Sequence, residues 1–457
     1  MTTTINKKNH QPNTKLPLGP TTSSWWNLLQ WIIRPYQFME ECRAKYGETF
    51  TVNLRNFEPI VFLSNPQDIQ QIITANFQQF DSGRANSIIQ PLVGDNSLLL
   101  TDGTKHQRQR KLLTPAFHGQ RMREYGELIV KITKKATENW QSGQQFKARD
   151  ISQKITLQVI LQAVFGLDEG ENYQKLQPQL NDMTSLLNGP ISSSFLFLSI
   201  LQQDWGAWSP WGNFLRSRQR INDTLYAEIT ARRQNLDPHS TDILSLMLAA
   251  RDEDGETMSD EELRDELITI VFAGYETTAT MLAWMFYWIH LLPEVKSNLM
   301  EELQGLGDNP TPMEIVQLPY LNALCAETLR IYPAAPIALP RIPTSSIEIG
   351  GNVYEAGTCL FPCIYLVHHR EELYPDSQQF KPERFLNHKF ANYEYFPFGG
   401  GSRTCIGMAF AQFEMKLVIA TILRHWQLEL DEKYPVKPTR RGVTIAPKGG
   451  VKMKVKS

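Results

Sequence analysis

The chain has 457 residues, a formal net charge of −2 and a hydrophobic content of 42%, so nothing in its composition marks it as a nucleic-acid binder or a disordered polymer. Its five cysteines (Cys42, Cys325, Cys359, Cys363 and Cys405) are odd in number and dispersed, which argues against a disulfide framework and suits a reducing compartment. Cys359 and Cys363 have no second Cys/His pair at metal spacing, so zinc is not expected.

No apolar run reaches the roughly 18–20 residues that span a bilayer, and residues 1–15 are polar, without the apolar stretch of a signal peptide. The expectation is a cytoplasmic protein without a transmembrane segment, at most peripheral at a membrane. Residues 1–20 read as a polar N-terminal arm without fixed structure, closing on the breaker-rich Leu16-Pro17-Leu18-Gly19-Pro20. Residues 21–457 read as one domain. Trp25, Trp26, Leu28, Leu29, Trp31, Ile32 and Ile33 could touch a membrane surface, but the preferred reading is the buried face of a first helix. Residues 49–54 and 59–64 read as a hairpin around Arg55-Asn56-Phe57-Glu58. Pro66 opens a short helix, and residues 80–100 are irregular.

The run Lys105-His106-Gln107-Arg108-Gln109-Arg110-Lys111 is basic, and His106 and Arg110, four apart, share a helix face. With Arg121 and Arg123 it is a candidate dock for an acidic partner. Helix follows helix from residue 129 to about 248, interrupted by an aromatic stretch over 192–201 with Trp205, Trp208 and Trp211. Ser259-Asp260-Glu261-Glu262 is a capping-box start, and no proline follows until Pro293. The helix this allows is ~50 Å long at 1.5 Å per residue, and its apolar middle should run through the core. Ala273-Gly274-Tyr275-Glu276-Thr277-Thr278 lies halfway along. A helix-interior glycine costs about 1 kcal/mol against alanine, and a buried carboxylate costs several kcal/mol unless paired. Such local violations tend to mark functional sites.

Glu327 and Arg330 form an i, i+3 acid–base pair, followed by the proline-rich stretch 334–341 and an apolar strand and loop around Cys359 and Cys363. Then come Phe380-Lys381-Pro382-Glu383-Arg384-Phe385 and Phe398-Gly399-Gly400-Gly401-Ser402-Arg403-Thr404-Cys405-Ile406-Gly407. A helix should begin at or just after Cys405, placing the thiol near unsatisfied N–H groups and the positive end of a helix dipole, both of which favour thiolate. The glycines let the backbone turn sharply and approach a flat ligand. Residues 434–455 read as short strands with turns at Arg441-Gly442 and Gly449-Gly450.

The stretch 398–407 resembles the haem-binding loop of the cytochromes P450, with Phe398, Gly401, Arg403, Cys405 and Gly407 at the pattern's fixed positions. Further motifs of that family follow in its order from residue 106 to 407. The resemblance implies a mainly α, single-domain fold with small β-sheets. It implies haem b, with Cys405 as the iron ligand, Phe398 in the haem loop, and His106, Arg110, Arg341 and Arg403 neutralising the propionates. Ala273 and Gly274 would leave room over the iron, while Glu276 and Thr277 would open the helix to water and supply protons and a hydrogen bond for O₂. Glu327, Arg330 and Arg384 would form a buried structural triad, and the aromatic stretch would roof the substrate channel.

The implied activity is insertion of one oxygen atom from O₂ into a lipophilic substrate. A fatty acid, alkane or terpenoid is expected, and resemblance to members near the fatty-acid hydroxylases favours the first. No flavin or iron–sulfur segment is visible, so a separate ferredoxin or flavodoxin would supply electrons to what is expected to be a monomer. Two other readings keep the haem: a peroxygenase or isomerase on the same fold, whose members often lack the acid–Thr pair, and a non-catalytic sensor or carrier, which would not need it.

Overall fold

The helix Asp260–Leu291 is the axle of the fold in a computed structural model of the chain. The structure describes residues 16–117, 121–166, 171–188, 202–206, 208–235, 237, 240–432, 435–442 and 444–456. The expected capping box is present: Ser259 Oγ accepts from the Glu262 amide at 3.2 Å, and the Ser259 amide donates to Glu262 Oε2 at 3.0 Å. The helix continues unbroken for 32 residues until Pro293 opens the next. Helices Ala148–Phe165, Pro210–Gln234, Pro319–Ile331 and Met408–His425 pack along it. Leu263, Leu267, Leu282 and Phe286 are wholly buried on it, each contributing roughly 1.5–3 kcal/mol relative to exposure. By length and composition this helix could cross a membrane, against the expectation that no segment could. With 72% of its most apolar window buried inside the molecule, it is a core helix.

The rest of the architecture is mainly helical, with five sheets of two or three strands among the described residues. The expected hairpin pairs Thr49–Val52 with Ile60–Leu63, placing Phe50 opposite Phe62 with rings stacked at 5.2 Å. A third strand, Cys359–Pro362, joins Ile60–Leu63 in parallel, which carries the chain back beneath the N-terminal part. Near the C-terminus, Pro438–Arg441 pairs with Thr444–Pro447, and the latter strand lies against the axial helix.

The N-terminal expectations need two corrections. The arm over residues 1–15 and the aromatic run over 192–201 lie outside the described residues. Residues 16–20, however, are fixed: the Thr51 amide donates to the Leu18 carbonyl at 3.2 Å, and a Cβ on Gly19 would sit 1.7 Å from the Thr51 carbonyl oxygen. The first helix, Ser24–Ile33, buries Leu28 and Trp31 but leaves Trp25, Trp26, Leu29 and Ile33 exposed. Trp31 faces inward because Phe62 meets it edge-on at 5.6 Å and Arg440 covers its ring at 4.8 Å.

Candidate active site

The loop carrying Cys405 is shaped by what presses on its outer side. Gly399 and Gly401 adopt φ of +70° and +66°, the left-handed region that favours glycine. A Cβ on Gly400 would lie 2.7 Å from Ile73 Cγ2, and one on Gly401 would lie 2.3 Å from the Ile73 carbonyl oxygen. Those two glycines therefore admit the helix Pro66–Thr74, and close approach to a flat ligand is not what requires them. Gly407 is different, because a Cβ there would meet only open space. Within the loop the Cys405 amide donates to the Phe398 carbonyl at 2.9 Å and the Thr404 amide to the Gly401 carbonyl at 3.1 Å. This turn presents the thiol just before the helix Met408–His425.

The thiol opens into a cavity of about 350 Å³ whose walls are largely apolar, with Leu113, Phe117, Ile160, Ile270 and Met281 among them. It is open to that space yet deep in the molecule. Burial pushes its pKa up, while the Gly407 N–H and the Arg110 guanidinium pull it down. Helix-start position alone favours thiolate, but burial is the larger effect here. Cys325 and Cys359, pushed up to about 11 and about 12 by burial, do not line the cavity.

A cluster of cationic side chains stands at one edge. Arg403 donates to the carbonyls of Thr101 and Leu98 at 2.8 and 3.2 Å and pairs with Asp102. Arg341 lies behind the wall, donating to the carbonyls of Leu339 and Gly400 at 2.7 and 3.0 Å. Arg110 lines the cavity and has no ion-pair partner among the described residues. His106 is buried, and desolvation with the charges of Arg403 and Arg110 lowers its pKa to about 3, so it is a neutral hydrogen-bonding group. The surplus of buried positive charge is unfavourable unless an anion joins it. Asp102, which also accepts from the Ser82 amide at 2.7 Å, was not legible as a site residue.

Across the cavity the axial helix presents Ala273, Gly274 and Thr277. Thr277 Oγ1 donates to the Ala273 carbonyl at 2.6 Å, and the helix runs through the hexapeptide without opening to water. A Cβ on Gly274 would come 3.1 Å from Ile160 Cδ1, so this glycine serves close helix packing as well as space. Glu276 does not join the other three. It pairs with Arg149 and accepts from Gln153 Nε2 at 2.8 Å, both on the helix Ala148–Phe165. That pair supplies the compensation its burial requires.

Glu327, Arg330 and Arg384 do come together. Arg330 Nε and Nη2 donate to Glu327 Oε2 and Oε1 at 2.6 and 2.7 Å, and Arg384 Nε reaches Oε1 at 3.4 Å. Arg330 also donates to the carbonyls of His368 and Ser377 at 2.8 and 2.9 Å. The His368 ring accepts the Phe396 amide at 3.1 Å, which ties the triad to the start of the Cys405 loop.

The basic run is not a free basic face. Arg108 pairs with Asp252 and with Glu262, Lys111 pairs with Glu253, and Lys105 donates to Asn96. Acids from residues 252–262 neutralise Arg108 and Lys111, and Arg110 turns to the cavity, which makes the run a poor dock for an acidic donor. In the aromatic stretch, Trp205 and Trp208 are exposed and stack at 6.0 Å, while Trp211 turns in against Phe214.

Residues 17–455 match a family model described as Cytochrome P450. A protein of Mycobacterium tuberculosis named cytochrome P450 135B1 is 34% identical over 449 residues, covering 97% of this chain and 92% of that one. Another from the same organism, cytochrome P450 138, is 30% identical over 442 residues, 96% of each chain. Among solved structures, the retinoic acid-bound cyanobacterial CYP120A1 shares the fold, with a TM-score of 0.84 over 97% of this chain and 100% of that one, at 23% identity.

Proposed function

The chain belongs to the cytochrome P450 family of haem-thiolate monooxygenases, and from that premise we propose that it oxygenates a lipophilic small molecule with electrons from a separate ferredoxin or flavodoxin. The carrying observation is a deep thiol, Cys405, opening into an apolar cavity edged by buried cations. The substrate reading, a fatty acid, alkane or terpenoid, is supported by the apolar walls and by a fold neighbour solved with retinoic acid.

Haem b fits this site by charge. Arg110 has no carboxylate partner among the described residues, Arg341 donates to neutral oxygens, and the two propionates of a haem would complete both. Cys405 would hold the iron beside Phe398, and His106, Arg110, Arg341 and Arg403 the propionates. When bound, haem with a thiolate ligand supplies the activation of O₂.

The remaining functions fall to the chain itself. Apolar walls exclude bulk water, so protons reach the centre only where a side chain admits them. The Thr277 hydroxyl stands on the cavity face of the axial helix and can exchange its bond to the Ala273 carbonyl for one to the reactants. Glu276 can serve as a proton source only by leaving Arg149 and Gln153, which hold it in the helix interface.

A haem-loaded preparation titrated with fatty acids, alkanes and terpenoids should show a substrate-type Soret shift with one class. A surrogate ferredoxin and reductase should then give NADH-dependent product. Product formed only with added hydrogen peroxide would favour the peroxygenase reading. Thr277→Ala should keep haem content and substrate affinity but lower product per NADH, releasing more hydrogen peroxide. Loss of a positioned donor costs about 10²–10³ in hydrolytic sites. A smaller fall, about tenfold, is expected here because water can replace a hydroxyl. Unchanged coupling would mean the hydroxyl serves only the Ala273 carbonyl.

A further inference from the structure

Glu266 stands two turns before Ala273 on the axial helix, on the face that brings Ile270, Ala273 and Thr277 to the cavity, and it belongs to the cavity wall. It is 1% exposed, and its Oε1 is buried with no hydrogen-bond partner among the described residues. No cation pairs with it among the described residues, and the neighbouring Lys105 is engaged by Asn96 Oδ1 at 2.8 Å. Thr269, the adjacent hydroxyl in the wall, is already engaged: it donates to the Asp265 carbonyl at 2.6 Å and can accept from Ser97 Oγ at 2.8 Å. Leu98, Leu99, Phe117 and Ile270 of the same wall carry no side-chain polar group.

We propose that the Glu266 carboxyl is a substrate-binding group, hydrogen-bonding an oxygen function carried by an otherwise apolar molecule. This rests on the reading of the cavity as the site of a lipophilic substrate. It narrows the class to oxygenated lipids (alcohols, ketones and carboxylic acids) in preference to plain hydrocarbons. A buried polar atom without a partner is unfavourable, and in native structures it usually has one; what fills the cavity is the available source. Burial, reinforced by Asp265 and Glu262 and opposed by the Leu98 N–H, raises the carboxyl's pKa well above its ordinary value. A carboxylic acid in its neutral form has an O–H donor as well as acceptor capacity, so it can bind a hydroxyl, a carbonyl or a carboxylate oxygen.

The test uses the haem-loaded full chain and three probes sharing one alkyl chain: dodecane, dodecanol and lauric acid. Wild type should bind the two oxygenated probes about tenfold more tightly than dodecane, the effect of one buried hydrogen bond. Glu266→Leu should abolish that preference while keeping dodecane binding, and Glu266→Gln, whose amide still donates, should retain part of it. A preference that survives in Glu266→Leu, or its absence in wild type, overturns the proposal. Should Glu266→Leu fail to take up haem, infrared difference spectra decide. A carboxyl C=O stretch present in wild type and absent in Glu266→Gln should shift with dodecanol and not with dodecane; no shift overturns the assignment. Equal binding of all three probes rejects the role of Glu266 alone. If none binds, the lipophilic-substrate reading falls and the Glu266 assignment falls with it.

Discussion

Arg330→Ala should yield little haem-loaded protein, with a sharply lowered melting temperature. The guanidinium is fully buried, as is Glu327, and the pair is bidentate. Removing it leaves Glu327 with the Lys381 amide at 2.8 Å and a long contact to Arg384 at 3.4 Å. It also strips donors from three carbonyls, those of His368, Ser377 and Gln379. Breaking a buried ion pair in this way costs about 3–5 kcal/mol, against a typical total stability of about 5–15 kcal/mol. Damage should reach the haem site because His368, held through its carbonyl by Arg330, holds the Phe396 amide through its ring. Arg330→Lys should rescue little, since an ammonium lacks the planar fork that meets both Glu327 oxygens. Thermal melting and haem content check this together. Wild-type melting with full haem in Arg330→Ala would show that the triad carries none of this stability.

Elements whose determinants lie close together in sequence were legible there. The capping box at Ser259 and Glu262, the hairpin over Thr49–Val52 and Ile60–Leu63, and the Glu327–Arg330 pair need only short-range spacing to be read. What escaped was set by neighbours distant in the chain. Glu276 is claimed by Arg149, 127 residues away, so its side chain belongs to a helix interface and not to the cavity. Helical period hinted at this, since position 276 is turned about 100° from 277 on a helix of 3.6 residues per turn. The same period places Glu266 on the face of Ala273 and Thr277, a signal that an apolar reading of the helix passed over.

Likewise, the charge of the Lys105–Lys111 run could not be judged without the acids that folding brings to it, with Asp252 lying 144 residues from Arg108. The outward side of Ser24–Ile33 shows the limit from the other direction. Apolar residues crowded on a helix argue for burial, but Trp25, Trp26, Leu29 and Ile33 find no core to enter. The glycines of the Cys405 loop mark a sharp turn in the sequence, while the reason for Gly400 and Gly401, Ile73, lies on a helix some three hundred residues earlier in the chain.

Cys405 as the iron ligand is tested most directly by the spectrum of the reduced protein under carbon monoxide. Thiolate ligation to haem pushes electron density onto the iron and gives the strongly red-shifted Soret band of this complex. Cys405 is the described cysteine that opens into the cavity, with the Gly407 N–H and Arg110 acting to favour its thiolate. Cys42, Cys325, Cys359 and Cys363 lie elsewhere, their thiols pushed up by burial. Wild type should show the red-shifted band, and Cys405→Ser should lose it entirely while Cys325→Ser, Cys359→Ser and Cys363→Ser keep it. A red-shifted band that persists in Cys405→Ser, or that vanishes in one of the other three, would contradict the assignment.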